Sequence, residues 1–409
     1  MAVSRKPPRT ITGPLGWMRQ NLFRSPIDSV ATIIITALIA WALSNLIRWI
    51  LTEAVWQQIW NNFKLFAVYR YPADMLWRPL AVLALIMSLL GATAGAGRRA
   101  GKGEIMSGVY WWFEVLVLGL AIVAVFSWES VRLLWLATAI ISLLGWLLGY
   151  SQPKITRALP WLWGASLPLG FLLLYGIFPE NAGPGFLTRV STKEWGGFML
   201  TLILSAVGIG LSLPIGIVLA LGRRSQLPVI KIFCIGFIEL IRGAPLITWL
   251  FIGSLFVPLL LNVSPNSISD LTKAIVAVTL FSAAYMAENV RGGLQSVPKG
   301  QSEAARALGL SAWQTTRLIV LPQALRSVIP PIVGQAISLF KDTSLVFIVG
   351  LFDFFEIQNI VANQQASTLV PGGIRLELVL FEAAVYWFFA YRMSVASRQL
   401  EKQLGVGTR

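Results

Sequence analysis

The chain has 409 residues, of which 56% are hydrophobic and only 12% charged, and its mean hydropathy is +0.71. A soluble domain carries about 25% charged residues, so this composition excludes a soluble enzyme and predicts an all-α, polytopic membrane protein. An outer-membrane barrel would instead show short segments of alternating polarity. The net charge of +15 would point to nucleic acid in a soluble protein. Here the basic residues sort between loops as membrane orientation requires, and no nucleic-acid partner is implied.

In chain order, residues 1–29 read as a basic, polar tail without a signal-peptide cleavage pattern. Ten apolar segments follow: Val30–Ile47, Pro79–Ala96, Trp111–Phe126, Leu133–Tyr150, Pro160–Phe178, Gly196–Leu221, Lys231–Leu261, Leu271–Val290, Ile332–Phe352 and Leu376–Tyr391. Most approach or exceed the ~20 residues that cross ~30 Å of hydrocarbon. Trp111–Phe126 is short and carries Glu114, so a re-entrant hairpin with the next segment would reduce ten spans to eight. Of the 33 Lys and Arg, 22 fall in connections on the side of the N-terminus and eight on the other. That asymmetry predicts both termini in the cytoplasm. Residues 30–190 form an N-terminal, Trp-rich set of about five spans. Gly183-Pro184-Gly185 is a plausible linker to residues 191–400, where charges and helix breakers gather in or beside spans. Residues 401–409 are a tail. No internal repeat is evident.

The most informative segment is the polar insert between the eighth and ninth spans. Ser302 is positioned to cap a short helix through Leu308, and Gly309 suits the left-handed residue that ends it. Ser311 and Gln314 have capping-box spacing for a second helix, and Pro322 limits its length. Leu308, Leu310, Trp313 and Ile319 give the pair apolar surface. Such a knob suits either a docking partner or a helix pair lying on the membrane.

Four further features stand out. Glu239, Arg242, Gly243 and Pro245 lie in a 31-residue apolar region too long for one straight span, which Gly243 and Pro245 should break. Its charges could form a structural Glu239–Arg242 pair, lie at the membrane surface, or belong to a gate. Glu288 and Arg291 have i, i+3 spacing and could anchor the helix at the interface or sense movement of the insert. Lys341 and Asp342 are adjacent inside the ninth segment, so each needs a partner from another helix or a broken backbone; helix packing or a gate is favoured over substrate contact. Gly101-Lys102 does not complete a phosphate loop, because position 96 is Ala and Gly103 stands where Ser or Thr is required. The chain therefore has no ATPase motif. Without His, and with Cys234 as the only cysteine, it has almost nothing for a thiolate or imidazole metal site, so neither cofactor nor catalytic residue is expected.

Residues 284–301, the Glu303-Ala304-Ala305…Gly309…Ile319…Leu321-Pro322 stretch, Gln323–Arg326, Pro330-Pro331 and Ser338–Leu345 together resemble the permease subunits of ABC importers, most closely the polar amino-acid branch. The resemblance covers roughly residues 195–400 and implies a five-helix permease core. It implies that Glu303, Ala304, Ala305, Gly309, Ile319, Leu321 and Pro322 form a coupling loop seated on a cytoplasmic ATPase dimer. Tyr71-Pro72 and Trp77-Arg78-Pro79 are similar to the extended permeases of broad-specificity L-amino-acid importers, which implies a heterodimer with a second permease. The implied assembly also contains a periplasmic amino-acid-binding protein and sits among lipid in a bacterial inner membrane. The alternative is an ATP-independent secondary transporter or channel, for which Glu114 and Asp342 are the intramembrane carboxylates on offer. The substrate-binding residues and the amino acid carried are not legible.

Overall fold

The computed structural model describes residues 13–100, 113, 117, 119–120, 129–179, 187–264, 267–364 and 373–405. The expected third span with Glu114, Gly101-Lys102, and the linker Gly183-Pro184-Gly185 lie, apart from four positions of that span, outside the described residues. Eight described helices are long and apolar enough to cross a membrane, and a bent pair can supply a ninth crossing. The all-α, polytopic expectation holds.

Two compact units divide at residue 60. In the first, helix α1 spans Pro26–Thr52. Pro26 occupies its first turn, where no amide is needed, and Ser25 Oγ accepts a hydrogen bond from the Asp28 amide at 3.1 Å. None of its side chains is buried, as expected of an apolar helix surrounded by lipid.

The first long helices of the second unit are α2 (Trp77–Arg99), α3 (Glu129–Ser151) and α4 (Pro153–Tyr175). Helices α2 and α3 interlock through two G-x-x-x-G pairs, Gly91/Gly95 and Gly145/Gly149. A Cβ on Gly95 would stand 2.1 Å from the Trp146 carbonyl oxygen, and one on Gly149 2.1 Å from that of Ala92. Hydrogen alone permits this approach, and lipid-embedded helices rely on such close packing because no hydrophobic effect drives them together.

The core is built on α5 (Gly197–Gly222) and α8 (Asp270–Ser296). Gly216 lets the two meet, since a Cβ there would lie 2.6 Å from Met286 Cβ. Between them run α6 (Pro228–Arg242) and α7 (Leu246–Phe251), the latter continuing through a π-helical turn, Ile252–Phe256, to Leu260. The bend between the two is 107°. It falls at Gly243–Pro245, as the sequence predicts, because Pro245 has no amide to continue the ladder.

Helix α8 leads into α9 (Lys299–Ala307), α10 (Ala312–Gln314) and, through the π-helical stretch Thr315–Val320, α11 (Leu321–Ser327). Next comes α12 (Ile329–Asp342), and the described chain ends in α13 (Arg375–Leu404). The expected ninth segment is not one straight helix. After α12 it tightens into the 3₁₀ stretch Thr343–Val349, turns at Gly350 and becomes extended at Phe352–Asp353. These two residues pair with Gly196 and Gly197, at the start of α5. Gly197 has φ +59°, and a Cβ there would lie 2.5 Å from the Phe66 carbonyl oxygen.

The Tyr71 and Arg78 motifs tie α2 and the chain just before it to the core. Tyr71 is fully buried and donates its hydroxyl to the Leu174 carbonyl at 2.8 Å, and Arg78, also fully buried, donates to that of Thr188 at 2.7 Å. Tyr71, Leu174, Val190 and Trp195 then share one apolar cluster with Leu200 and Leu204 of α5 and Val278 of α8. The earlier spans of this unit and the later ones are thus packed around common side chains.

Candidate functional site

The polar insert folds as a two-helix knob. Gly309 has φ +81°, the left-handed region that ends α9, and Ser311 and Gln314 make the complete capping box that opens α10. Two local expectations are corrected. Ser302 does not cap α9, which starts three residues earlier after Pro298, an extended residue that makes no side-chain cap. Pro322 does not end the second helix. The wider π-turn ahead of it takes up the missing amide, and the helix runs on to Ser327.

Of the seven residues singled out here, Glu303, Ala304, Gly309 and Pro322 are exposed, Ile319 and Leu321 are half-buried, and Ala305 is buried. Leu308, Trp313 and Leu318 project large apolar side chains into the surroundings, with Leu308 82% exposed. Leu310 is half-buried instead. The base of the knob is joined tightly to α8. A Cβ on Gly293 would meet the Ala324 carbonyl oxygen at 2.5 Å, and the Ser296 and Ser327 hydroxyls are 3.1 Å apart. Gln323 reaches across to Gln301 at 3.3 Å. Displacing the knob must therefore displace α8.

One helical step from this joint, α5, α6 and α8 meet in an ionic cluster. Glu288 lies at its centre. It accepts a two-oxygen contact from the Arg291 guanidinium, with Arg242 at 3.5 Å and Arg223 at 3.7 Å. Arg223 also reaches Glu239 at 3.1 Å. The Glu288–Arg291 pair forms as its spacing allows. Glu239 and Arg242 do not pair with each other. Each finds its partner on a different helix, because a three-residue offset is only one of the geometries open to a long guanidinium. Arg242 also lies over the Tyr285 ring, 5.4 Å from its centroid, and Trp249 donates to the Ile241 carbonyl at 2.9 Å across the break. The bend at Gly243–Pro245 is thereby clamped to α8.

Lys341 and Asp342 end α12, where the backbone changes to 3₁₀ geometry. Lys341 is exposed and Asp342 half-buried, and among the described residues neither has an ion-pair partner.

The sequence reading missed a buried polar group beside the Phe352–Asp353 turn. Asp353 is fully buried and accepts the Glu356 amide at 3.2 Å and the Tyr386 hydroxyl at 3.2 Å. Glu377 and Glu382 of α13 are also buried. The Glu382 oxygens make no hydrogen bond of ordinary geometry among the described residues. The expectation that Glu114 and Asp342 exhaust the intramembrane carboxylates is therefore corrected. A Glu inside an apolar helix was the available signal.

The sequence from 212 to 405 matches the family described as binding-protein-dependent transport system inner membrane component. The chain is 36% identical to BztC, a glutamate/glutamine/aspartate/asparagine transport system permease protein of Rhodobacter capsulatus, over 99% of this chain and 96% of that one. It is 48% identical to YhdY, an inner membrane amino-acid ABC transporter permease protein of Escherichia coli, over 60% of this chain and 64% of that protein, slightly less than two thirds of its length. Among solved structures, the crystal structure of an amino acid ABC transporter with histidines aligns with a TM-score of 0.45 at 26% identity, covering 51% of this chain and 92% of the other.

Proposed function

Because the chain belongs to the family of inner membrane components of binding-protein-dependent transport systems, we propose that it is the permease subunit of an ATP-driven importer of amino acids. The chain forms part of the translocation path, and hydrolysis takes place in a separate cytoplasmic ATPase dimer. A periplasmic binding protein delivers the amino acid, and a second permease completes a heterodimer. Both termini and the 299–327 knob face the cytoplasm of a bacterial cell, residues 30–190 are an N-terminal extension, and 191–400 are the permease core.

The observation that carries the coupling role is the knob itself. It presents Leu308, Trp313 and Leu318 outward while its base meets α8 at Gly293 without room for a methyl group. Closure of the ATPases pushes the knob, the knob carries α8, and α8 carries Glu288 and the clamped bend of α6–α7. A motion of rigid elements about such a break is a recognised route from one facing state to another. Glu239, Arg242, Gly243, Pro245, Glu288 and Arg291 act in this account as gate elements, and Lys341 and Asp342 mark a second break in the path.

The test is ATP-dependent amino-acid uptake in proteoliposomes containing the whole importer. Gly309→Pro cannot adopt φ +81°, and Glu303→Lys reverses a charge on the exposed face. Each is expected to abolish uptake while the chain still inserts and purifies at wild-type yield. Normal uptake by both variants removes the coupling role.

A further inference from the structure

A cavity of about 470 Å³ opens between the ends of α5 and α8 and the start of the knob. Four cations line it: Arg223, Arg224, Arg291 and Lys299. Arg223 and Arg291 are neutralised by Glu239 and Glu288 in the ionic cluster. Among the described residues, Arg224 and Lys299 have no carboxylate within ion-pair distance, and both are exposed. The Gln295 amide and the Ser302 hydroxyl add neutral donors to the same wall. The cavity thus offers two uncompensated positive charges and additional hydrogen-bond donors, and no carboxylate among the described residues lines it. This is the chemistry that holds a phosphate group.

Its depth points to the source of the phosphate. Arg223 and Arg224 directly follow the last residue of the α5 span, and Arg291 and Gln295 lie in the last two turns of α8. The cavity therefore sits at the polar boundary of two membrane helices, at headgroup level. Just along the chain, α6 begins with an outward apolar face: Leu227 is 61%, Val229 80% and Phe233 65% exposed. Acyl chains can lie along such a face, whereas free phosphate has no use for it. Basic pockets between spans on the cytoplasmic side select anionic headgroups.

We propose that this cavity binds the phosphodiester headgroup of an anionic phospholipid, held by Arg224 and Lys299 with Gln295 and Ser302 as supporting donors. The site goes beyond the permease reading and takes from it only the side of the membrane. A lipid seated there touches both α5 and the first turn of α9, so bilayer composition would bear on the position of the knob.

The experiment is native mass spectrometry of the detergent-purified full chain, equilibrated with equimolar phosphatidylglycerol and phosphatidylcholine. The wild type is expected to retain phosphatidylglycerol preferentially. Arg224→Gln/Lys299→Gln, which breaks no ion pair, is expected to reduce that preference about thirtyfold, in line with the worth of two basic residues at a membrane surface. The charge-matched control Arg306→Gln/Arg317→Gln, on the exposed knob, is expected to behave as wild type. Undiminished preference in the Arg224/Lys299 variant, or an equal loss in the control, overturns the site. Displacement of phosphatidylglycerol by millimolar inorganic phosphate assigns the cavity to free phosphate and overturns the lipid assignment. Because none of these readouts involves transport, failure here leaves the permease reading untouched, and failure of uptake leaves this result standing.

Discussion

Two neighbouring glycines at the end of α8 provide an internally controlled test of the joint between the knob and the spans. A Cβ on Gly293 would lie 2.5 Å from the Ala324 carbonyl oxygen and 2.7 Å from Val328 Cγ1, whereas a Cβ on Gly292 would meet nothing within 4 Å. Ordinary contact begins at 3.4 Å and the tightest real contacts stand at 3.0 Å. Gly293→Ala must therefore move the α11 backbone by about 0.5–0.9 Å, the difference between 2.5 Å and those two limits. Overpacking of this kind costs about 1–3 kcal/mol. Both substitutions gain the same helix propensity of about 1 kcal/mol, so that contribution cancels when the two variants are compared. Gly293→Ala is expected to be less stable than Gly292→Ala by about 1–3 kcal/mol. It should also lose most of its ATP-dependent uptake, because the shifted α11 no longer registers on α8. Gly292→Ala should match or exceed the wild type in both respects. Thermal unfolding in detergent and uptake in proteoliposomes read the two effects. Equal melting temperatures and equal uptake for the two variants would refute the claim that the knob is rigidly joined to α8.

Further expectations follow from the same contacts. Gly149→Leu forces α2 and α3 apart against the Ala92 carbonyl and should lower the melting temperature sharply, whereas Gly164→Ala, with nothing within 4 Å, should not. Glu288→Gln leaves three guanidiniums with a single remaining carboxylate and should cost about 1–3 kcal/mol, between the values for exposed and buried pairs. Glu239 is 57% exposed, so Glu239→Gln should cost less than about 1 kcal/mol, which denaturation of the two variants side by side would reveal.

Much of this architecture is written in local signals. The length of the 231–261 apolar run together with Gly243 and Pro245 is enough to place the bend, since one helix that long exceeds the membrane and Pro245 cannot continue the ladder. Gly309, Ser311 and Gln314 are equally readable because a left-handed residue and a capping box depend on a few adjacent residues. The limits of such reading are just as specific. The Glu239 and Arg242 partners lie on other helices, and spacing within one helix says nothing about them. Ser302 looks like a cap only if α9 begins there; Pro298 begins it earlier. The π-turn that carries the helix past Pro322 is a response to that proline, not a pattern visible before it. Gly91/Gly95 and Gly145/Gly149 are legible as motifs, yet nothing in either identifies the other as its partner. Asp353 becomes a buried acid only because the chain turns at Gly350 and lays residues 352–353 against Gly196 and Gly197.

The most direct test of the central claim is co-purification of the tagged chain from native membranes in mild detergent, with its partners identified by mass spectrometry. The wild type should bring down an ATPase and a second permease. Leu308→Asp/Trp313→Asp, which alters only the exposed apolar face of the knob, should lose the ATPase and keep the second permease. An ATPase recovered at wild-type stoichiometry with the variant, or a wild-type chain recovered alone with uptake that survives ATP depletion, would contradict the account.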